Sequence, residues 1–193
     1  MKTDVELMTE FQQGNRDAFE KLVMRHQMGV FNFFVRMTSD REAAEDQTQE
    51  VFLRLYQNAH RYQVTAKFTT YLYRIARNCW IDQLRRNKRR GHMLSLDKEN
   101  AQGVNLYDNL AADTNNPAGR LEARDLANVV NQAIDSLPEE QKVVFVLSEV
   151  QGMKYAQIAE TLEIPEGTVK SRMHVAISRL RDYLIRHGVV AAD

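Results

Sequence analysis

The sequence predicts an all-α protein made of two helical domains joined by a flexible acidic linker. Only three Pro and eight Gly interrupt 193 residues, and Leu, Ala, Gln, Glu and Arg are frequent, a composition that favours helix along the chain. Apolar residues return at three- and four-residue spacing in both halves, as at Phe19, Leu22, Val23, Val30 and Phe33, with His26 on the same face. The middle breaks that rhythm. Residues 91–119 are rich in Asn, Asp and Gly and carry Asp97, Glu99, Asp108 and Asp113 against Lys98. The expected units are therefore a first domain over 4–90, a linker over 91–119 and a second domain over 120–187.

Within the first domain the spacing predicts a helix over 17–36. Ser39 or Asp40 is placed to cap a second helix that runs to about Ala59. A loop over roughly 58–67 precedes a long helix over 69–89. In the second domain Leu137-Pro138, Gln151-Gly152 and Ile164-Pro165 mark the breaks between helices.

Whole-chain properties exclude several classes. With 44% apolar and 27% charged residues the chain can fill cores, so it is not a disordered polymer. The lone Cys79 excludes an internal disulfide framework and suits a reducing compartment. The N-terminal stretch is polar and no segment approaches a membrane-spanning run, so a cytoplasmic location is expected. The five His are scattered, with no HExxH, glycine-rich phosphate loop or nucleophile elbow. We therefore expect no enzyme, no cofactor and no metal.

The net charge is zero, but the charges are segregated. From Arg74 to Arg90, seven basic residues face Asp82 alone, a local net of +6; from Asp40 to Glu50, five acids face Arg41, a local net of −4. Separate acidic and basic patches imply two kinds of partner.

On a helical wheel of residues 41–59, Ala44, Thr48, Val51, Phe52, Leu55 and Ala59 form the inward stripe. Glu42, Asp46, Gln49, Leu53 and Tyr56 project to the other side, flanked by Glu50. A solvated face needs no Leu. Leu53 among acids resembles a contact patch for a basic protein.

The next helix places Leu72, Ile75, Ala76, Cys79, Trp80 and Leu84 inward and Tyr71, Arg74, Arg77, Asn78 and Arg85 outward. An aromatic, an amide and three guanidinium groups suit phosphate neutralisation, base stacking and edge hydrogen bonding. Seven of the chain's 16 aromatics lie between Phe52 and Trp80, the mixture that holds single-stranded DNA. The loop from Arg61 to Lys67 has room for a flipped base.

Residues 155–180 carry the pattern of a DNA-reading helix-turn-helix: small Ala159 at the crossing, Ile164 in the turn, Pro165 at the second helix and Val169 locking it. Glu163 stands where the turn glycine is usual. Val169, Met173, Ala176, Leu180 and Leu184 are expected inward. Ser171, His174, Val175 and Ser178 are expected outward, with Lys170 and Arg172 beside them. Short polar side chains between cations suit a major groove.

Three segments in this order, AEDQTQEVFLRLY (Ala44–Tyr56), YLYRIARNCWIDQLRR (Tyr71–Arg86) and the stretch Leu137–Arg172, resemble the extracytoplasmic-function (ECF) branch of the sigma-70 family of RNA polymerase sigma factors. The resemblance spans about 11–184 and implies a protein that binds core RNA polymerase and directs promoter-specific initiation. It maps core-polymerase contacts onto Asp46, Gln49, Glu50 and Leu53. Reading and melting of the promoter −10 element map onto Phe68, Tyr71, Arg74, Arg77, Asn78, Arg85 and Arg86. Reading of the −35 element maps onto Thr168, Lys170, Ser171 and Arg172. Promoter DNA and an anti-sigma factor are the further partners it implies. Tyr71 stands where the family often has Trp, and Val175 and Ile177 where it commonly has Arg; Ile177 is expected to lean inward.

Three other readings compete. A helix-turn-helix regulator that binds duplex alone needs no acidic polymerase face. A nucleic-acid enzyme lacks its motifs, and a pure protein adaptor leaves the +6 helix without a task. The linker acids admit two readings, a plain tether or a segment that runs through a positively charged polymerase channel.

Overall fold

A computed structural model describes residues 2–64, 67–91 and 117–191. No strand occurs among them. The linker acids Asp97, Glu99, Asp108 and Asp113 lie outside the described residues.

The first unit opens with α1 (Asp4–Gln12). Thr3 caps it through a reciprocal box: the Glu6 amide donates to Thr3 Oγ1 at 3.3 Å, and the Thr3 amide donates to Glu6 Oε2 at 2.6 Å. α2 (Arg16–Thr38) and α3 (Arg41–Gln57) follow. Of the two residues expected to cap α3, Asp40 does so, accepting from the Ala43 amide at 3.2 Å. Ser39 instead ends α2 in the left-handed conformation, φ 55°. α3 stops at Gln57, two residues short of the expected end, and a 3₁₀ turn over Ala59–Arg61 leads to α4 (Phe68–Gly91). Gln12 donates to the carbonyls of Ala59 (2.8 Å) and Tyr62 (3.0 Å), which anchors this connection to α1.

The core of this unit follows the apolar spacing. Leu22, Val30, Phe33, Phe34, Val51, Leu55 and Leu72 are fully buried. The predicted inward stripe of α3 is buried at Ala44, Val51, Phe52, Leu55 and Ala59; Thr48 is half-buried and turns its hydroxyl to the Ala44 carbonyl. Truncating a side chain such as Leu72 to Ala would cost about 2–5 kcal/mol.

The second unit comprises α5 (Pro117–Asp135), α6 (Glu139–Phe145), a π-helical turn over Val146–Val150, α7 (Tyr155–Leu162) and α8 (Glu166–Arg186). All three predicted breaks separate helices. α5 begins three residues before the expected boundary because Pro117 occupies the first helical position, where its fixed φ and missing N–H suit a helix start.

The sequence boundary does not predict how the units sit. They pack on one another, α7 across α4 and the π-helical turn against α2, and a single apolar cluster contains Phe33, Leu72 and Trp80 of the first with Leu147, Ile158 and Leu162 of the second. A smaller cluster of Ala133, Ile134, Leu137, Ala176 and Leu180 joins α5 to α8. Polar contacts seal the junction. The Tyr73 hydroxyl donates to Gln151 Oε1, Gln151 Nε2 donates to the Gly29 carbonyl at 3.1 Å, Arg36 donates to Asn131, and Ser39 donates to Asp135 at 2.8 Å. Gly29 suits this close approach: a Cβ there would sit 3.0 Å from the Tyr73 hydroxyl, which would have to give by a few tenths of an ångström.

Candidate nucleic-acid interface

α3 and α4 lie side by side and present opposite charge. On α3, Asp46, Gln49 and Leu53 are exposed, Leu53 at 51%. Tyr56 is exposed as well, yet its ring packs against Phe19 and Phe11 at centroid distances of 5.2 and 5.1 Å. Glu50 does not join that outward face. It is half-buried and accepts from Arg54 Nε at 2.6 Å, because Arg54 one turn later reaches back to it.

Arg54 also donates to Asp82 Oδ2 at 2.9 Å. Burial disfavours its charge, but the hydrogen bonds to Asp82 and Glu50 outweigh that and raise its pKa. The one acid within the basic helix is therefore held by a cation of α3, and the outward face of α4 stays positive.

On that face Asn78, Arg85 and Arg86 are exposed while Tyr71, Arg74 and Arg77 are half-buried. The Arg74 guanidinium lies 5.5 Å from the centroid of the Tyr71 ring, which in turn packs on Tyr62 at 5.2 Å. Burial pushes the Tyr62 and Tyr71 phenols up, so both remain neutral. A cleft of about 270 Å³ opens beside this pair, lined by Arg61, Tyr62, Gln63, Thr70, Tyr71, Arg74 and, from α7, Glu160. Such a cleft offers ring faces, amide and hydroxyl groups and two guanidinium groups at one place, the chemistry that holds an unstacked base on its phosphate backbone.

Phe68 corrects the sequence reading. It is 3% exposed and packs against His26 and Tyr62 at 5.2 and 6.1 Å, so it props the loop from within instead of facing DNA. As the first residue of α4 it falls on the inward arc.

The helix-turn-helix has the expected geometry. Ile164 donates its amide to the Ala159 carbonyl at 3.0 Å, Pro165 precedes α8, and Val169, Met173, Ala176 and Leu180 are buried. Lys170 and Ser171 are exposed, Thr168 and Arg172 half-buried. Lys170 pairs with Glu166 at 2.8 Å, and Arg172 donates to Glu140 at the start of α6. Ile177, expected inward, is 51% exposed, and Val175 is 39% exposed. The buried stripe of α8 is narrow, and Ile177 falls one step beyond it at Ala176.

The sequence reading missed Glu140, which holds Arg172, Glu160, which lines the cleft, and Gln151, which joins Tyr73 to Gly29 at the junction of the units. Each partner pair but one lies across the two units, and spacing within one helix carries no signal of that.

Family models match both units: sigma-70 region 2 over residues 22–90, and sigma-70 region 4 over residues 127–180. The ECF RNA polymerase sigma factor SigW of Bacillus subtilis is 33% identical over 175 residues, covering 91% of this chain and 93% of that protein. The chain belongs to the ECF RNA polymerase sigma factors. The ECF sigma-E factor of Escherichia coli is 31% identical over 171 residues, covering 89% of this chain and 88% of that protein. Two solved structures share the sigma-factor fold. One is CnrH in complex with the cytosolic domain of CnrY (TM-score 0.68, 21% identity, 96% of this chain and 99% of that chain). The other is the sigma factor RpoE with the anti-sigma factor NepR from Bartonella quintana (TM-score 0.65, 18% identity, 86% and 96%). In this sigma factor no helix among the described residues is long and apolar enough to cross a membrane.

Proposed function

We propose that this sigma factor docks on core RNA polymerase through Asp46, Gln49 and Leu53, separates promoter strands at the −10 element through α4, and reads the −35 element through α8. The observation that carries the proposal is the pair of adjacent, oppositely charged faces on α3 and α4, braced by Arg54. A basic partner helix meets the acidic face, while displaced single strand meets the basic one.

Residues 4–90 hold the polymerase and melting functions and residues 120–187 the duplex function. In the melted state a base of the displaced strand enters the cleft beside Tyr71, with Arg61 and Arg74 on its phosphates and Asn78, Arg85 and Arg86 along the backbone. Thr168, Lys170, Ser171 and Arg172 enter the major groove, where Ser and Thr accept either base and Arg favours guanine. No covalent bond is made or broken by the chain; binding energy alone separates the strands. It acts in the cytoplasm, and an anti-sigma factor that covers Asp46 and Arg172 together blocks both partners.

Permanganate footprinting of a promoter tests this reading. Core polymerase with the chain should make −10 thymines reactive, and core polymerase alone should not. Equal reactivity in both would refute it.

A further inference from the structure

The outward face of α8 carries one apolar side chain among polar ones. A recognition helix presents residues at i, i+3, i+4 and i+7 to base edges, because at about 100° per residue these four share one face. On α8 that spacing gives Thr168, Ser171, Arg172 and Val175. Three of them are polar; the fourth is a valine, 39% exposed. Lys170 stands to one side of this face and Arg179 to the other, both exposed, so the stripe is flanked by cations that suit phosphates.

Val175 does not serve the core. Val169, Met173, Ala176 and Leu180 form the buried stripe on the opposite side of the helix, while Ser171 and Ser178, one turn before and after Val175, are exposed. Ile177 is also exposed, but it lies about a third of a turn round the helix from Ser171. The polar neighbours can hydrogen-bond to base edges. Ser171 Oγ donates to the Thr168 carbonyl at 3.0 Å and keeps its lone pairs for base amino groups. Val175 offers only methyl groups. In the major groove the thymine C5 methyl is the apolar group among hydrogen-bond donors and acceptors, so a valine there meets thymine or leaves a polar edge without a partner.

We infer that Val175 sets the base preference of α8 at one position of the −35 element, by packing its methyl groups against the C5 methyl of a thymine. The inference deepens the proposed function, because it rests on α8 lying in the major groove. Four residues at about 1.5 Å rise each place Val175 about 6 Å beyond Ser171, roughly two base-pair steps, so the two side chains meet different base pairs. Ser171 and Arg172 read polar edges near the start of the helix, and Val175 adds an apolar reading beyond them. Guanine is disfavoured at this position, since valine cannot donate to its O6 and N7 acceptors.

The test uses holoenzyme assembled from bacterial core polymerase and the full chain, with duplexes randomised across both promoter elements. Bound duplexes are sequenced. Every thymine of the selected −35 element, on either strand, is then replaced in turn by deoxyuridine, which removes the C5 methyl and leaves the pairing edge intact. One replacement should weaken parent binding about fourfold, the size of one buried methyl group, and should leave Val175→Ala unaffected. Val175→Arg should exchange thymine for guanine at that position of the selected sequences. Ile177→Ala should keep the parent's selection and its sensitivity to deoxyuridine. Val175 is exposed, so each variant should show the parent's helical content by circular dichroism. If the parent selects a −35 sequence but no replacement separates it from Val175→Ala, the thymine contact is overturned while the duplex assignment of α8 stands. If the parent selects no −35 sequence, that assignment falls and the thymine contact with it.

Discussion

Arg54 Nη1 lies 2.9 Å from Asp82 Oδ2 and thereby ties the acidic helix to the basic one. Removing the cation strands Glu50 and Asp82 together, with like charges facing across α3 and α4. Arg54→Ala should cost about 1–2 kcal/mol, reduced from a buried-pair value because the side chains are partly solvated. For a chain of this size the melting temperature should fall by about 3–6 °C. Combining it with Asp82→Ala should recover part of the loss; a strictly additive double mutant counts against the pairing.

The α3 face should be separable from folding. Asp46 and Gln49 are exposed, so Asp46→Arg with Gln49→Ala should leave the helical spectrum unchanged and the unfolding free energy within about 0.5 kcal/mol of the parent. Pull-down of core polymerase should nevertheless be lost. Leu53→Ala should weaken it as well, whereas Glu50→Gln should mainly lower stability, since Glu50 is occupied by Arg54. Core recovery by the double variant at the parent's level removes the assignment.

On α4, Arg74→Ala or Asn78→Ala should reduce permanganate reactivity at −10 thymines far more than it reduces duplex binding. Phe68→Ala should behave differently. It empties a buried site and should cost about 3–5 kcal/mol of stability, a core defect visible by calorimetry before any DNA is added. A stable Phe68→Ala protein with a melting defect would return this ring to the DNA.

Arg172 is held by Glu140 in the free chain and must leave it to reach DNA. Arg172→Ala should weaken −35 duplex binding by about 1–3 kcal/mol if the contact is bidentate to guanine, and lower the salt slope by about one if it is to phosphate. Glu140→Gln should do the reverse and strengthen binding modestly. Identical affinities for all three proteins would leave Arg172 a structural surface residue.

The helices, their breaks and the inward stripes were legible because each follows from local spacing. Pro138, Pro165, Gly152 and the apolar repeats of α3 and α8 act within a few residues. Most of the residues misread have neighbours that come from elsewhere, Glu50 with its partner one turn along the same helix being the exception. Phe68 shares an aromatic run with Tyr71 but caps the inner arc against His26; Glu50 looks like its exposed neighbours until Arg54 folds back on it; Ile177 lies at the edge of a stripe whose width depends on α5 and α7. Glu163 was visible as an anomaly at the turn, but its contact with Arg77, 86 positions away in sequence, was not. The packing of the two units could not be read, since a two-domain composition fits open and closed forms alike.

Run-off transcription tests the central claim most directly. Bacterial core polymerase would be mixed with pooled genomic fragments, with and without the chain, and RNA 5′ ends mapped. The account predicts discrete transcripts that depend on the chain, start at a fixed distance from a shared pair of sequence elements, and disappear with Asp46→Arg/Gln49→Ala. The same transcript profile with and without the chain would contradict it.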